Sequence, residues 1–245
     1  MNNNQFCAKW VLQRNPTGRA KVLDYGCGAG ELVEELQKNK IDAYGCDVFY
    51  EGGDYSSSVT PSLMNSTIRR MKRGRIPFDD GTFDYVINKE VMEHVENLDE
   101  ALAEIHRVLK PGGKVLSLFP DKGIWREGHC GIPFLHWFPK YSRPRILWAA
   151  AFRFLGMGHH KGGKGVMRWS KDFCEWLDKY TWYRSRDEID RTYKKHFSEI
   201  EYIEDSWMRE RFAQRLILPN YLPAPILRLL ARKLGELVFV ARKHL

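Results

Sequence analysis

The chain has 245 residues, 43% of them hydrophobic and 13% aromatic, with a formal net charge of +8. That length buries a full core and fits one domain with insertions better than two independent domains. Five cysteines, an odd number without C-x-x-C spacing, argue against a disulfide framework or a zinc knuckle. No apolar run approaches the ~20 residues that span a bilayer, since the stretch 146–157 is interrupted by Arg153. The N-terminal Met1-Asn2-Asn3-Asn4-Gln5 is polar and uncharged, a poor signal peptide. The expectation is a soluble, cytoplasmic protein in a reducing setting. Lys and Arg are scattered and carry no RNA-binding signature, so nucleic acid is not the favoured partner.

In chain order, residues 5–20 predict a short packing helix around Phe6, Trp10 and Val11, stopped by Asn15-Pro16-Thr17-Gly18. A lid over a ligand is the alternative reading. Val22 and Leu23 then suit a buried strand, which breaks into Gly26, Gly28 and Gly30, each two residues from the next. Glycines there permit positive φ and close backbone approach. Leu32, Val33 and Leu36 follow at helical spacing, so the loop opens a helix whose first amides face the turn. Asp47 ends a second strand about 20 residues on, where an acid can accept hydrogen bonds from ribose hydroxyls. A G-x-G-x-x-G pattern needs glycine at position 31, and the chain has Glu31. Together these argue for an adenosine-containing ligand whose anionic part is smaller than a pyrophosphate.

Residues 52–58 read as a polar loop, and 83–88 alternate as a buried strand with Asn88-Lys89-Glu90 just beyond its carboxyl end, where open α/β sheets hold ligands. Leu98, Leu102, Ile105 and Leu109 mark one face of a helix predicted to end at Pro111-Gly112-Gly113, with a fifth strand over 114–119. Strand and helix in repeated order imply parallel pairing with right-handed crossovers.

The glycine loop, Asp47, the run Arg75-Ile76-Pro77-Phe78-Asp79-Asp80-Gly81-Thr82-Phe83-Asp84, the run Glu90-Val91-Met92-Glu93-His94-Val95 and Leu109-Lys110-Pro111-Gly112-Gly113 occur in one order. In that order they resemble a class I S-adenosylmethionine-dependent methyltransferase of the type 11-like group, over roughly residues 20–120 and a last strand near the C-terminus. The resemblance implies an α/β, Rossmann-like, doubly wound and mostly parallel seven-stranded sheet with helices on both faces and an antiparallel last strand. It implies S-adenosyl-L-methionine as cofactor. Asp24, Gly26, Gly28 and Gly30 would surround the methionine part, Asp47 and Val48 would hold the ribose and adenine edge, and Asn88 and Lys89 would lie near the sulfonium side. Many relatives offer an acid to adenine from the next strand; here 71–75 has none, so adenine recognition rests on backbone or on other residues. His94 is family-typical and reads as structural or supporting.

From 120 to about 165 the chain changes character, with Trp125, Trp137, Trp148, His129, His136, His159 and His160 among prolines, glycines and arginines. Starting directly after the fifth strand, it could wall a substrate pocket. Ser170 is a candidate cap for a helix bearing Phe173, Trp176, Leu177 and Tyr180, and Ser185 to Glu188 has capping-box spacing. Residues 197–203 and 236–242 read as the sixth and seventh strands. Between them, 216–234 is apolar on one face and basic on another: packed on its own domain or at a dimer contact in the plainer reading, peripheral to an anionic membrane in the other. The whole is read as a single domain over 1–245, with an acceptor-side insertion at about 120–195 and a helical amphipathic insertion at about 208–234.

Methyl transfer from a sulfonium is a direct displacement that needs in-line positioning and exclusion of water, and no metal. A hydroxyl acceptor must lose its proton as the methyl arrives. His129 is the preferred base, with His136 second, because histidine titrates near neutral pH and both lie in the acceptor insertion. His129-Cys130 and His159-His160 lack a matching ligand set, so the expected metal content is none. The favoured function is methylation of a small-molecule acceptor, a sugar, lipid-linked compound or other metabolite, preferably at oxygen. A noncatalytic cofactor-fold scaffold and an RNA methyltransferase are the alternatives. Oligomeric state is left open.

Overall fold

The computed structural model describes residues 1–15, 17–212 and 221–244. Its centre is one seven-stranded sheet in the order β3-β2-β1-β4-β5-β7-β6. The strands are β1 (Lys21–Tyr25), β2 (Asp42–Asp47), β3 (Ile68–Arg70), β4 (Phe83–Lys89), β5 (Leu109–Phe119), β6 (Glu199–Tyr202) and β7 (Leu237–Arg242). The first five pair in parallel, whereas β7 runs antiparallel to both β5 and β6. This is the Rossmann-like arrangement expected, its parallel part from the strand and helix order and its antiparallel last strand from the family resemblance.

Helices cover both faces. On one lie α1 (Asn3–Arg14), α2 (Glu31–Lys38), α7 (Glu204–Phe212) and α8 (Ala224–Leu234), packed through Phe6, Trp10, Leu32, Leu36, Trp207 and Ala231. On the other lie α3 (Leu98–Val108) and α6 (Arg186–His196), packed through Leu102, Ile105, Ile189 and Tyr193. Apolar residues every three or four positions bury one stripe of each helix on the sheet. α1 begins with a full capping box: the Asn2 side chain accepts from the Gln5 amide and the Gln5 side chain accepts from the Asn2 amide. Phe6, Trp10 and Val11 are buried, so α1 is a packing helix.

Three local expectations shift. Leu109 leaves the helix face and begins β5 opposite Phe83, so the Pro111-Gly112-Gly113 turn lies inside the strand's span rather than ending the helix. Sheet pairing outcompetes one more turn of helix at that residue. The third strand is 68–70, ahead of the 71–75 stretch. Ser170 is interior to α5 (Val166–Tyr180), where its hydroxyl donates to the Val166 carbonyl, while Ser185 does cap α6 by accepting from the Glu188 amide.

The segment after β5 has a small core of its own. α4 (Arg143–Phe154) packs on α5 through Ile132, Leu135, Ala149, Trp169, Cys174 and Leu177. Arg145 and Asp178, both buried, form an ion pair across this contact, and Asp178 also accepts from the Tyr141 amide at 2.8 Å. α8 is held on α7 by Arg228 to Asp205 and Arg232 to Glu204 at 2.7 and 2.6 Å. Much of its basic face is therefore paired within the domain, as in the plainer reading of that stretch. Part of that stretch, 213–220, lies outside the described residues, as does Pro16 of the predicted turn. Among the described residues no helix is long and apolar enough to cross a membrane.

Candidate active site

A cavity of about 1490 Å³ opens at the carboxyl ends of β1, β2 and β4. Its floor is the turn between β1 and α2. Gly26 has φ +75°, and a Cβ there would come 2.3 Å from Val91 Cγ2. Gly30 has φ +84°, and a Cβ would come 2.4 Å from Ile68 Cδ1. Both positions thus require glycine on two counts, backbone conformation and space. Gly26→Ala combines left-handed strain with overpacking and should destabilise the chain by about 2–4 kcal/mol in denaturant unfolding. Adding Val91→Ala should recover the packing part of that loss, and no recovery would show that the side-chain clash is not its source.

Asp47 ties this turn to β2. One carboxylate oxygen accepts from the Gly28 amide at 2.9 Å and the other from the Phe49 amide at 2.7 Å. Each oxygen keeps a second lone pair for a ligand hydroxyl. Burial raises the Asp47 pKa, and the Phe49 and Gly28 amides oppose that rise. Asp24 is 3% exposed at the cavity floor. Burial pushes its pKa up to about 7, opposed by the Lys89 ammonium. Lys89 in turn lies 3.6 Å from Glu90. The side chain of Asn3 in α1 donates to both Glu90 and Glu236, at 3.0 and 2.7 Å, and Glu236 rises to about 8 through burial and the neighbouring Glu90.

Of the predicted donor-side residues, Asp24, Gly26, Gly28, Asp47, Val48 and Lys89 line the cavity. Gly30 and Asn88 do not. Gly30 starts α2 and seats the loop against Ile68. Asn88 is fully buried and donates to the Ser117 hydroxyl at 3.0 Å. Strand alternation puts its side chain on the face of Val86, turned into the helix layer rather than towards the ligand edge. Met71, Arg73 and Arg75 line the same cavity beyond β3, where the sequence offers no acid for adenine.

The far wall is built by two separate stretches. After β4, Glu90 adopts φ +57°, which turns the chain so that Val91 fills the space above Gly26 and a short 3-10 turn, Met92–His94, brings His94 to the cavity. From the other side, residues 127–131 form a turn around the fully buried carboxylate of Glu127. That carboxylate accepts from the Cys130 amide at 2.7 Å, from the Tyr183 hydroxyl at 2.8 Å and from His129 Nδ1 at 2.6 Å. Burial acts to raise the Glu127 pKa, but the His129 contacts and the other donors outweigh it and hold the carboxyl at about 2. His129 rises because Glu127 outweighs its burial, whereas burial and the neighbouring His129 push His94 down to about 4.

The two imidazoles meet with their Nε2 atoms 3.1 Å apart. Trp176 lies 5.2 Å from His129 between ring centroids, and Tyr50 lies 5.9 Å from His94 and 5.2 Å from Tyr180. Trp176 Nε1 donates to the Gly52 carbonyl at 3.1 Å, and a Cβ on Gly52 would strike Tyr180, so α5 seats closely on the loop after β2. His129 therefore lines the cavity. His136 does not: it is 6% exposed, its Nε2 faces the Lys122 carbonyl at 3.3 Å, and its ring lies 4.5 Å from that of Tyr183, behind the wall. Sequence reasoning passed over Glu127, Tyr183 and the wall-forming part of His94. Only the Glu127-x-His129-Cys130 turn, with an acid two residues before a histidine, offered a local signal for them.

Residues 23–117 match a protein family described as a methyltransferase domain. The chain is 34% identical over 102 residues to a demethylmenaquinone methyltransferase of Staphylococcus epidermidis, covering 40% of this chain and 42% of the relative. It is 30% identical over 118 residues to a ubiquinone biosynthesis O-methyltransferase of Pseudomonas aeruginosa, covering 46% and 49%. The chain thus spans about half the length of the curated relatives it matches. An S-adenosylmethionine-dependent methyltransferase structure from Mesorhizobium loti superposes with TM-score 0.55 at 16% identity, covering 98% of this chain and all of that one. That likeness speaks to the fold.

Proposed function

We propose that the chain, whose residues 23–117 match a methyltransferase-domain family, is an S-adenosylmethionine-dependent enzyme that transfers a methyl group to an oxygen of a small hydroxylated acceptor held against the wall of His94 and His129. The observation that carries the acceptor side is His129 itself: its Nδ1 is fixed by a buried carboxylate, and its Nε2 meets His94 Nε2 at the cavity wall, so that His94 can pass on the proton that His129 takes. When bound, S-adenosylmethionine supplies an electrophilic methyl carbon on a sulfonium.

The residues present fit that cosubstrate. The turn at Gly26 admits no side chain, the Asp24 carboxyl waits at the floor within the field of the Lys89 ammonium, and Asp47 keeps lone pairs for a ligand. Asp24 suits the ammonium of the ligand, the α2 end suits its carboxylate, and Asp47 suits its ribose hydroxyls. Trp176, Tyr50 and Tyr180 shield the wall from water and offer flat faces to a ring-shaped acceptor. The names of the relatives, which include quinone-pathway methyltransferases, support a ring-shaped acceptor and divide between carbon and oxygen as the methylated atom. His129 takes the hydroxyl proton on Nε2 as the new O–C bond forms, and Glu127 stabilises the imidazolium and keeps the ring oriented. A purely scaffolding role gains no support from this arrangement, since it has no use for a cavity with a carboxylate-held histidine.

S-adenosylmethionine should bind at one equivalent in calorimetric titration; no binding would sink the enzyme reading. Across a panel of hydroxylated ring compounds, release of S-adenosylhomocysteine by His129→Gln should fall about 100-fold or more, with cosubstrate affinity unchanged. Full turnover in that variant would end the base role.

A further inference from the structure

His94 and His129 face each other in a way that ordinary histidine pairs avoid. Nδ1 of His94 lies 2.7 Å from the Tyr180 carbonyl oxygen, which can only accept, so that nitrogen carries the proton. Nδ1 of His129 lies 2.6 Å from a carboxylate oxygen of Glu127 and carries its proton for the same reason. In the neutral rings both Nε2 atoms then present lone pairs, and these are the two atoms 3.1 Å apart. The contact calls for a positive centre between the two, either a proton on one Nε2 or a metal ion held by both. Next to it stands Glu93, 4% exposed, with its Oε2 making no hydrogen bond. One ligand atom from each of Glu93, His94 and His129 falls within 4.8 Å of the others.

We propose that Glu93, His94 and His129 form a binding site for a divalent first-row transition ion, with Zn²⁺ as its probe. Two imidazoles and one carboxylate are the donors such ions prefer over Mg²⁺ or Ca²⁺, which favour all-oxygen sets. Bonds of about 2.1 Å place neighbouring ligand atoms about 3.0–3.4 Å apart. The two Nε2 atoms already meet that spacing, and Glu93, whose ligand atom lies within 4.8 Å of the others, reaches it by a movement of up to about 1.4–1.8 Å. The outer contacts are those that metal-binding histidines make: each Nδ1–H donates to an oxygen, in one case that of a carboxylate. The charges balance as well, because the buried carboxylates of Glu93 and Glu127 together offset a dication. Glu93 and His94 come from one 3-10 turn and His129 from the insertion, so the ion would clamp the two halves of the site.

Three protein ligands leave coordination positions open on the cavity side. There the inference rests on the methyl-transfer reading. The ion binds the acceptor hydroxyl oxygen, the hydroxyl proton passes to solvent, and the oxygen forms the new O–C bond while the S–C electron pair returns to sulfur. With the ion in place His129 serves as a ligand instead of a base.

The test is calorimetric titration of Zn²⁺ into the chelator-treated full chain. The expected result is one equivalent bound, with affinity lowered about tenfold or more in Glu93→Gln and in His94→Gln, both variants keeping wild-type circular dichroism. Co²⁺ in place of Zn²⁺ should give a visible d–d band that either substitution shifts or removes, a readout free of any folding loss small enough to escape dichroism. Absence of stoichiometric Zn²⁺ binding by the wild-type chain, or equal binding by both variants, would overturn the site. Zn²⁺ binding by a chain that does not bind S-adenosylmethionine would uphold the metal site and remove the methyl-transfer reading; methyl transfer by a chain that binds no Zn²⁺ would do the reverse.

Discussion

S-adenosylmethionine is expected to bind about tenfold more weakly at about pH 6 than at about pH 8, because the buried Asp24 carboxyl, with its pKa pushed up to about 7, is mostly protonated at the lower pH and mostly ionised at the higher. A neutral carboxyl offers nothing to the ligand's ammonium, so each further pH unit downward costs up to another factor of about ten. Asp24→Asn should flatten this profile and weaken binding at about pH 8 roughly 100-fold, the scale of an unpaired buried charge of about 3 kcal/mol. The same residue acts in the opposite sense on the ligand-free chain. Its folded pKa lies above the unfolded value, so its contribution to stability is fully present below about pH 4 and is lost as pH rises through about 7. At about pH 8 that loss is on the order of 4 kcal/mol. Asp24→Asn should therefore unfold at higher temperature than the wild-type chain when ligand-free at that pH, and lose the advantage when S-adenosylmethionine is added to both. Calorimetric titration and thermal melts across pH check the two halves. A wild-type affinity that stays level from about pH 8 to about pH 6 would contradict the assignment.

Arg145→Met costs about 3–5 kcal/mol. The substitution keeps the volume but leaves the Asp178 carboxylate, 4% exposed, without its cation. The loss should be smaller in Arg145→Met with Asp178→Asn, where no net charge is left in the contact and the asparagine oxygen can still accept from the Tyr141 amide. Urea unfolding of the single and double variants measures both terms; equal losses would mean that the buried charge is not their cause. Because α5 also carries Trp176 and Tyr180, the single variant should lose turnover as well as stability, while Asp24 and the glycine turn, built without α4 or α5, keep cosubstrate affinity.

The donor half was readable because its demands are local. Gly26, Gly28 and Gly30 answer to backbone conformation, and Asp47 reaches back to the Gly28 amide across one β-α-β unit, so a 24-residue window from Asp24 to Asp47 contains most of the reasoning. The fold followed from the same alternation of strand and helix. Asn88 differs from its expected place because the strand end points to the ligand edge while the alternation of side chains turns this one inward beside Ser117. Leu109 was misplaced because a helical stripe and a strand register both accept a leucine, and only pairing with Phe83 decides. The acceptor wall was hardest. His94 and His129 stand 35 residues apart, and no periodicity links them. His136 shares the composition of His129 but is turned away by the Lys122 carbonyl. What separates the two histidines is a buried Glu127, whose partners exist only once the chain has folded around it.

The pairing of Phe119 with Leu237 brings the end of β5 and the start of β7 to the same rim of the sheet. The part of the acceptor wall that runs from Glu127 through Tyr183 leaves the framework at that rim, whereas the residues that floor the donor side, Asp24, Gly26, Gly28, Asp47 and Lys89, all come before residue 90. Descendants of such a chain can exchange one acceptor wall for another without rebuilding the cosubstrate pocket. The residue that restrains that drift is His94, which is encoded with the donor half and does its work against the other. Any new wall has to present a partner to it.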